Sequence, residues 1–413
     1  MTPAIQKNDI RVQSETDANE QSLNLTRIFK KMKPFPEKMD CPHLTVSIDL
    51  GQDSWHVSFL SPRRRSGHTF KGMDRHALLL EAIHGEMRRL GIGDTRDVVI
   101  CHEIGRDGLW ARDWFVWHGF PCIVLSPDVL SGNGRAVKTD RVDADRLAVR
   151  LRRFYDGELE CDHVHMPPSR DVLDRRVLSR WRAKCVKLRT GLVSYFKSML
   201  TECMPGHPGL NIRKVDVDAL RDSLGRPLSE SKKRVLKRTR EHWLELDADV
   251  AEADRELKAL CKAAREARLK GGPQSRADAM VAELMRFRGI GPQTAWVLAH
   301  ELYHKEFRNG RQVGSATGLV AVPRSSGSSD RCAGISRRSN GRVRAALVEL
   351  AWLWVRHQPG SSLTRWFLER TAPGVSTRRM RKVAIVAVAR KLAVALWRHL
   401  EHGEALEGAL FSA

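Results

Sequence analysis

Four carboxylates carry the residue types and spacing that phosphoryl transfer needs. Asp49 stands near the end of the apolar run LTVSIDL, and Glu103 near the end of a second, DVVICHEI. Asp140 and Asp143 lie three apart in KTDRVDADRLA, a spacing that puts both on one face of a helix. Asp145 falls off that face. Alone, a strand-end aspartate is a turn residue, and two acids three apart are a solvated helix face. Jointly they suit another use, because strand ends line the crevice of an open sheet and a following helix can bring its acids there. Acids gathered without a cation raise one another's pKa. Hard cations take oxygen ligands, and two Mg²⁺ ions about 3.5–4 Å apart would activate an attacking oxygen and stabilise a leaving one. Ser326 sits in PRSSGSSD, a serine-rich stretch that would ordinarily be a flexible, solvated loop. A serine hydroxyl needs activation. No His or Lys stands beside it, so carboxylate-bound metals would have to supply that.

These residues need elements to hold them. The runs at 44–50 and 55–60, joined by Gly51-Gln52-Asp53, predict a hairpin, with a third strand near 68–71. Helical spacing follows at 76–90, a buried strand at 97–104, a helix at 110–118, a strand at 120–126 and a helix at 140–153. A hairpin followed by βα units makes a mixed sheet covered by helices. A basic helix is predicted over 170–200, with Arg175, Arg176, Arg180 and Arg182 among nine cations against Asp171 and Asp174. A second long helix spans about 228–270. Its Trp243, Leu246, Val250, Ala253, Leu257, Leu260 and Ala264 step alternately by three and four, a coiled-coil seam within the chain or between subunits. Residues 276–413 read as a further helical region. The expected class is therefore α/β plus all-α, divided into a leader (1–40), a catalytic α/β domain (41–165), a basic helix and coiled-coil linker (166–272) and a helical domain (273–413).

Charge limits the partners. The 413 residues hold 71 Lys and Arg against 49 acids, a net +22, and a polyanion is the natural partner of such a surface. The apolar run at 383–397 is interrupted by Arg390 and Lys391, which makes it a buried helix rather than a membrane span. The polar N-terminus lacks a signal-peptide pattern, and eight scattered cysteines suit a reducing cytoplasm. Cys161, His163 and His165 have no second ligand pair near them in sequence. Phosphate contacts are expected from Lys138, Arg175, Arg176, Arg180, Arg182, Arg337, Arg338, Arg342 and Arg344. Gly289 and Gly291 flank Ile290 in a turn opening a helix, where backbone N–H groups suit a phosphate. That stretch resembles a helix-hairpin-helix, and a plain helix connection is the other reading.

The order of elements, with Asp49, Glu103, Asp140 and Asp143, resembles a RuvC-like, ribonuclease-H-type domain. KTDRVDADRLA resembles the signature of the DEDD transposases of bacterial insertion sequences, the insertion sequence one-ten family. Their second domain is matched by Gly318-Leu319, Pro323, Ser326-Gly327, Gly334-Ile335-Ser336-Arg337 and Arg344. The family's nucleophile maps to Ser326, with Ser325 adjacent. Where the family usually has Gly-Asn, this chain has Ser339-Asn340. The resemblance runs over about residues 44–400. It implies that the four acids bind catalytic Mg²⁺ and that a serine–DNA phosphodiester forms during exchange between double-stranded donor and target. It also implies a guide RNA encoded beside the gene, a bacterial, nucleoid-associated location, and a homodimer or homotetramer in which the coiled coil pairs subunits and Ser326 of one meets the acids of another. The alternative is a structure-specific, Holliday-junction-type endonuclease that uses water. A non-catalytic nucleic-acid-binding protein is disfavoured by acids at all four positions.

Overall fold

The computed structural model describes residues 43–105, 108–125, 139–156, 164–165, 168–203, 211–272, 274–326, 329–336, 339–372 and 377–412. The chain divides into two compact units, Met1–Pro167 and Pro168–Ala413.

The first unit is built on a mixed sheet. Strands β1 (Leu44–Leu50) and β2 (Ser54–Leu60) form the predicted antiparallel hairpin. A side chain at Gly51 would run into the Ser54 carbonyl, so the tight turn requires glycine there. Strand β3 (Arg65–Lys71) starts three residues before the predicted position and pairs antiparallel with β2. Helix α1 (Arg75–Leu90) leads to β4 (Val98–Glu103), α2 (Gly108–Trp117) to β5 (Cys122–Leu125), and α3 (Asp140–Tyr155) to the two-residue β6 (Val164–His165). The sheet order is β3-β2-β1-β4-β5-β6, with β1–β4 and β4–β5 parallel and the other pairs antiparallel. Alternation along the central strands serves two cores. Val46, Ile48 and Ile100 pack with Leu79, Ile83 and Phe115 on one face. Val99, Cys101 and Ile123 pack with Leu147 and Leu151 of α3 on the other.

In the second unit, α4 (Arg170–Thr201) and α5 (Glu230–Leu269) lie antiparallel. Arg182 Nε donates to Asp254 Oδ1 at 2.6 Å, and Arg189 Nη1 to Asp247 Oδ1 at 2.5 Å. The predicted seam is thus met by a helix of the same chain. Trp243, Val250, Ala253, Leu257 and Ala264 are buried, Leu246 is half-buried, and Leu260 faces solvent while Cys261 is buried in its place. A straight helix drifts about 20° per heptad from a strict seven-residue repeat, and here the buried positions step from 253 to 257, 261 and 264.

Leu257 and Cys261 also pack into the core of the remaining helices, which explains why the helix pair and the C-terminal region form one unit. Those elements are α6 (Arg276–Leu284), α7 (Pro292–Leu298) continued by a π-helical turn (Ala299–Tyr303), and α8 (Gly310–Thr317). They continue with hairpin β7 (Ala321–Ser326) and β8 (Ser329–Ile335), then α9 (Gly341–His357), α10 (Ser362–Arg370) and α11 (Arg378–His402). Trp296, Tyr303, Trp354 and Phe367 are fully buried among them. Among the described residues no helix is long and apolar enough to cross a membrane.

Candidate functional site

The parallel register of β1 and β4 pairs Ile48 with His102. Asp49 and Glu103 therefore stand one residue further on, side by side at the C-terminal ends of neighbouring strands. Strand alternation sets Asp49 with Thr45 and Ser47, and Glu103 with Val99 and Cys101, on the face that α3 covers. The hydroxyl of Ser47 donates to the Ala144 carbonyl at 2.5 Å and ties the first turns of α3 to β1. Thr139 caps that helix by accepting from the Val142 N–H. Asp140 and Asp143 thus fall in its first turn, where the helix dipole favours negative charge. Asp143 is buried and lies 3.6 Å from Arg146, whereas Asp140 is exposed. Asp145 accepts from Ser58 at 2.6 Å and so braces α3 against β2.

One residue in this neighbourhood was missed in the sequence. His56 lies directly opposite Asp49 on β2, and its Nε2 is 3.7 Å from Asp140 Oδ2. Its Nδ1 is 3.0 Å from Thr69 Oγ1. The hairpin signal was visible, but its register, which makes His56 the partner of Asp49, had to be known before the histidine stood out.

The chemistry of this donor set, all carboxylate oxygens, fits a hard divalent cation. The backbone brings the four acids to one end and one face of the sheet. The side chains as arranged do not close a coordination shell: among the described residues, no three His, Cys, Asp or Glu side chains converge as ligands. Thiol chemistry has little support. Burial pushes the Cys122 and Cys261 thiols up to about 12 and raises Cys101 too, which suppresses the thiolate.

In the second unit, Ser326 is the last residue of β7 and pairs with Ser329 across residues 327–328. The serine-rich stretch is therefore a hairpin rather than the open loop its composition suggests. The run AVPRSS has no apolar alternation, so nothing local marked it as a strand. The base of the hairpin is fastened. The Ser336 N–H donates to the Val320 carbonyl at 2.8 Å, and Arg344 donates to Ser339 Oγ at 3.1 Å. Gly318 has φ +67°, and a side chain there would collide with Ser339 and the Ser336 carbonyl. The departure at Ser339 is thus accommodated, its hydroxyl serving as acceptor for Arg344.

The arginines predicted as phosphate contacts have intramolecular partners. Arg175 bridges Asp171 and Asp278, at 2.9 and 2.6 Å. Arg176 is buried and donates to the His300 carbonyl at 2.7 Å and to the His304 ring. Arg182 grips Asp254 with two nitrogens. Arg180 and Arg342 both reach the Glu301 carboxylate. Arg344 is occupied by the hairpin base. Lys138, Arg337, Arg338, Cys161 and His163 lie outside the described residues. Gly289 has φ +89° and packs beside His357, while Gly291 caps α7. Pro292 at the first helical position removes one N–H from any phosphate cradle there.

A different cluster has unneutralised charge. Arg378, Arg379, Arg381 and Lys382 open α11, and all are exposed. Among the described residues none has a carboxylate within ion-pair distance, and no acid lies in that first turn. Cations at a helix N-terminus oppose the helix dipole, each by about 0.3–1 kcal/mol, so their placement favours an external anion. The run RRMRK was legible in the sequence but was overshadowed by the denser positive charge of residues 170–197.

A family model described as Transposase, IS116/IS110/IS902 family, matches residues 281–365, a span that contains the hairpin of Ser326. The chain is 31% identical over 393 residues to a transposase-named protein, y4rJ, of Sinorhizobium fredii, covering 91% of this chain and 96% of the relative. It is 27% identical to the transposase for insertion sequence element IS1328 of Yersinia enterocolitica, over 86% of this chain and 96% of the relative. It is 25% identical to the transposase for insertion sequence element IS1111A of Coxiella burnetii, over 74% and 78%.

Proposed function

Because the chain belongs to the IS116/IS110/IS902 transposase family, we propose that it exchanges DNA strands through a serine–DNA intermediate, with divalent metal held by its acids and an element-encoded RNA as guide. That it is an insertion-sequence transposase follows from the family and its relatives. The observation that carries the finer reading is the placement of Asp49, Glu103, Asp140 and Asp143, from three separate stretches, at one end and one face of the sheet. The strand order 3-2-1-4-5, in which β2 alone runs antiparallel to the other four, supports a RuvC-like, ribonuclease-H-type assignment.

Asp49, Glu103, Asp140 and Asp143 would hold Mg²⁺, which when bound supplies charge stabilisation to a phosphoryl group. The protein's own part is distinct. Ser326 at the hairpin tip offers its oxygen to phosphorus. As that bond forms, the bond from phosphorus to a deoxyribose oxygen breaks, the serine proton leaves, and the departing oxygen takes one up. The strand is then carried as a phosphodiester to Ser326, and a second deoxyribose hydroxyl reverses the step. Because each step exchanges one phosphodiester for another, no strand end is lost to water. A homodimer or homotetramer, with acids from one copy and serine from another, comes from the family resemblance, as does the RNA guide. The basic opening of α11 supports contact with DNA phosphates.

The test is recombination in cells between a donor and a target plasmid. The intact chain is compared with Asp49→Ala and Ser326→Ala, each with and without the flanking non-coding DNA as RNA source. Loss of product in both variants, and without the flank, is the expected result. Product surviving Ser326→Ala moves the nucleophile to Ser325 or to water and overturns the serine reading.

A further inference from the structure

The buried carboxylate of Glu301 has no place in the reaction described so far. It sits in the π-helical turn that follows α7, and its side chain is 1% exposed. Such turns are rare and often occur at functional sites. Three donors from two other elements converge on it. Arg342 Nε donates to Oε1 at 2.9 Å, Arg180 Nε stands 3.5 Å from the same oxygen, and the Asn340 amide donates to Oε2. Burial opposes the charge, but the Asn340 hydrogen bond, Arg342 and Arg180 outweigh it and hold the carboxyl below its ordinary value. The wider turn also offers its His300 carbonyl to Arg176, so it is fixed to α4 at both His300 and Glu301.

What Glu301 holds is the exit of the serine hairpin. Asn340 is the N-cap of α9, its Oδ1 accepting from the Arg342 N–H at 3.0 Å. The same side chain therefore caps the helix with its oxygen and grips Glu301 with its nitrogen. Arg342 extends the hold to Ser179 on α4, at 3.1 Å to the carbonyl. Asn340 lies five residues after Ile335, the end of β8, and the intervening Ser336 is bonded to Val320, the residue before β7. Both strands of the hairpin are thus fastened at one end to a frame whose centre is Glu301.

The hairpin acts as a lever on that frame. With about 3.4 Å of rise per residue, less for the irregularity at Ala321–Pro323, Ser326 stands about 15 Å from the base. A tilt of roughly 4° at the base moves the tip by about 1 Å, and a displacement of that size can cost a reaction about 100-fold.

We propose that Glu301 is the positioning residue of the serine hairpin: through Asn340 and Arg342 it fixes the angle at which Ser326 is presented. This rests on Ser326 being the nucleophile.

The test uses the full chain with Mg²⁺, RNA transcribed from the flanking non-coding DNA, and a labelled duplex carrying the element's end. Glu301→Gln keeps the size and drops the charge. Asn340→Ser keeps the helix cap and removes only the amide donor to Glu301, with less risk to folding. Three quantities are read: the rate of covalent protein–DNA adduct formation, the Kd for the duplex, and amide hydrogen exchange along β7 and β8. Both variants should form adduct about 100-fold more slowly, bind DNA within about twofold of the parent, and exchange faster in the hairpin but not in α10 or α11. Glu301→Asp, which restores the charge, should recover part of the rate. Unchanged hairpin exchange and unchanged rate overturn the proposal. So does a rise in exchange throughout the unit with Kd and rate lost together, because that marks a merely structural role. Ser326→Ala separates the two readings. If it still forms adduct while Glu301→Gln loosens the hairpin, the serine assignment falls, and with it the role of Glu301 toward Ser326.

Discussion

Arg176 shows how a residue's environment can redirect its chemistry. It was one of four clustered cations that a linear reading assigns to phosphate. Yet burial draws its guanidinium down to about 10, and it donates to the His300 carbonyl inside the fold. Arg176→Met, which keeps the aliphatic stem, should cost about 1.5–3 kcal/mol, the worth of a hydrogen bond to a charged group. Urea unfolding would read that loss, and duplex affinity should stay the same. A tenfold weaker Kd with unchanged stability would instead make Arg176 a phosphate contact. Glu301 yields a pH prediction. Its folded-state pKa lies below the ordinary 4.5, so its stabilising contribution is complete above that pH and fades as pH falls through the folded value. The melting difference between the parent chain and Glu301→Gln should therefore be constant from pH 7 to 5 and narrow below 4.5.

At the scale of elements, period and punctuation told most of the story. Strands β1 to β5, α3 and the two long helices appear within a few residues of their predicted limits, because alternation, helical spacing and caps such as Ser169, Ser229 and Thr139 are local signals; the two-residue β6 had no such signal. Partners were not local. The seam of α5 gave no hint of whether it would meet its own chain, and the helix's 3.6-residue turn carried Leu260 off it. Leu257 is 1% exposed and Leu260 38%. Leu257→Ala should thus cost about 2–5 kcal/mol, and Leu260→Ala less than about 0.5 kcal/mol, by chemical unfolding. A large, concentration-dependent loss from Leu260→Ala would show instead that this face is buried between subunits. The serine hairpin was hidden for a related reason: serine and glycine suit a loop equally well, and its pairing is fixed by Gly318 and Arg344 at its base.

For the whole molecule, a net charge of +22 says that a polyanion binds but not where. Much of the charge on α4 is matched by Asp247, Asp254, Asp278 and Glu301. Among the described residues, the opening of α11 is not. Neutralising Arg378, Arg379, Arg381 and Lys382 to Gln should weaken duplex binding. It should also reduce the slope of log K against log salt by about 0.9 for each phosphate that is no longer neutralised, hence by up to about 3–4. Neutralising Arg175 and Arg182 should leave that slope unchanged while lowering the melting temperature. The reverse pattern, read by anisotropy across a salt series, would return the nucleic-acid surface to α4.

The sequence by itself determined most of the helices and strands, the net charge and the four acids, because each is written in local spacing or composition. It also carried the family resemblance, through two motif blocks in order. Tertiary structure decided what those residues stand beside. The parallel register of β1 and β4 set Asp49 next to Glu103, and the hairpin register set His56 opposite Asp49. Packing of α4 against α5 and the π-helical turn neutralised the arginines that looked free, and it gave a buried glutamate hold of the serine hairpin. Contacts between residues far apart in the chain depend on which elements meet, and no local pattern encodes that.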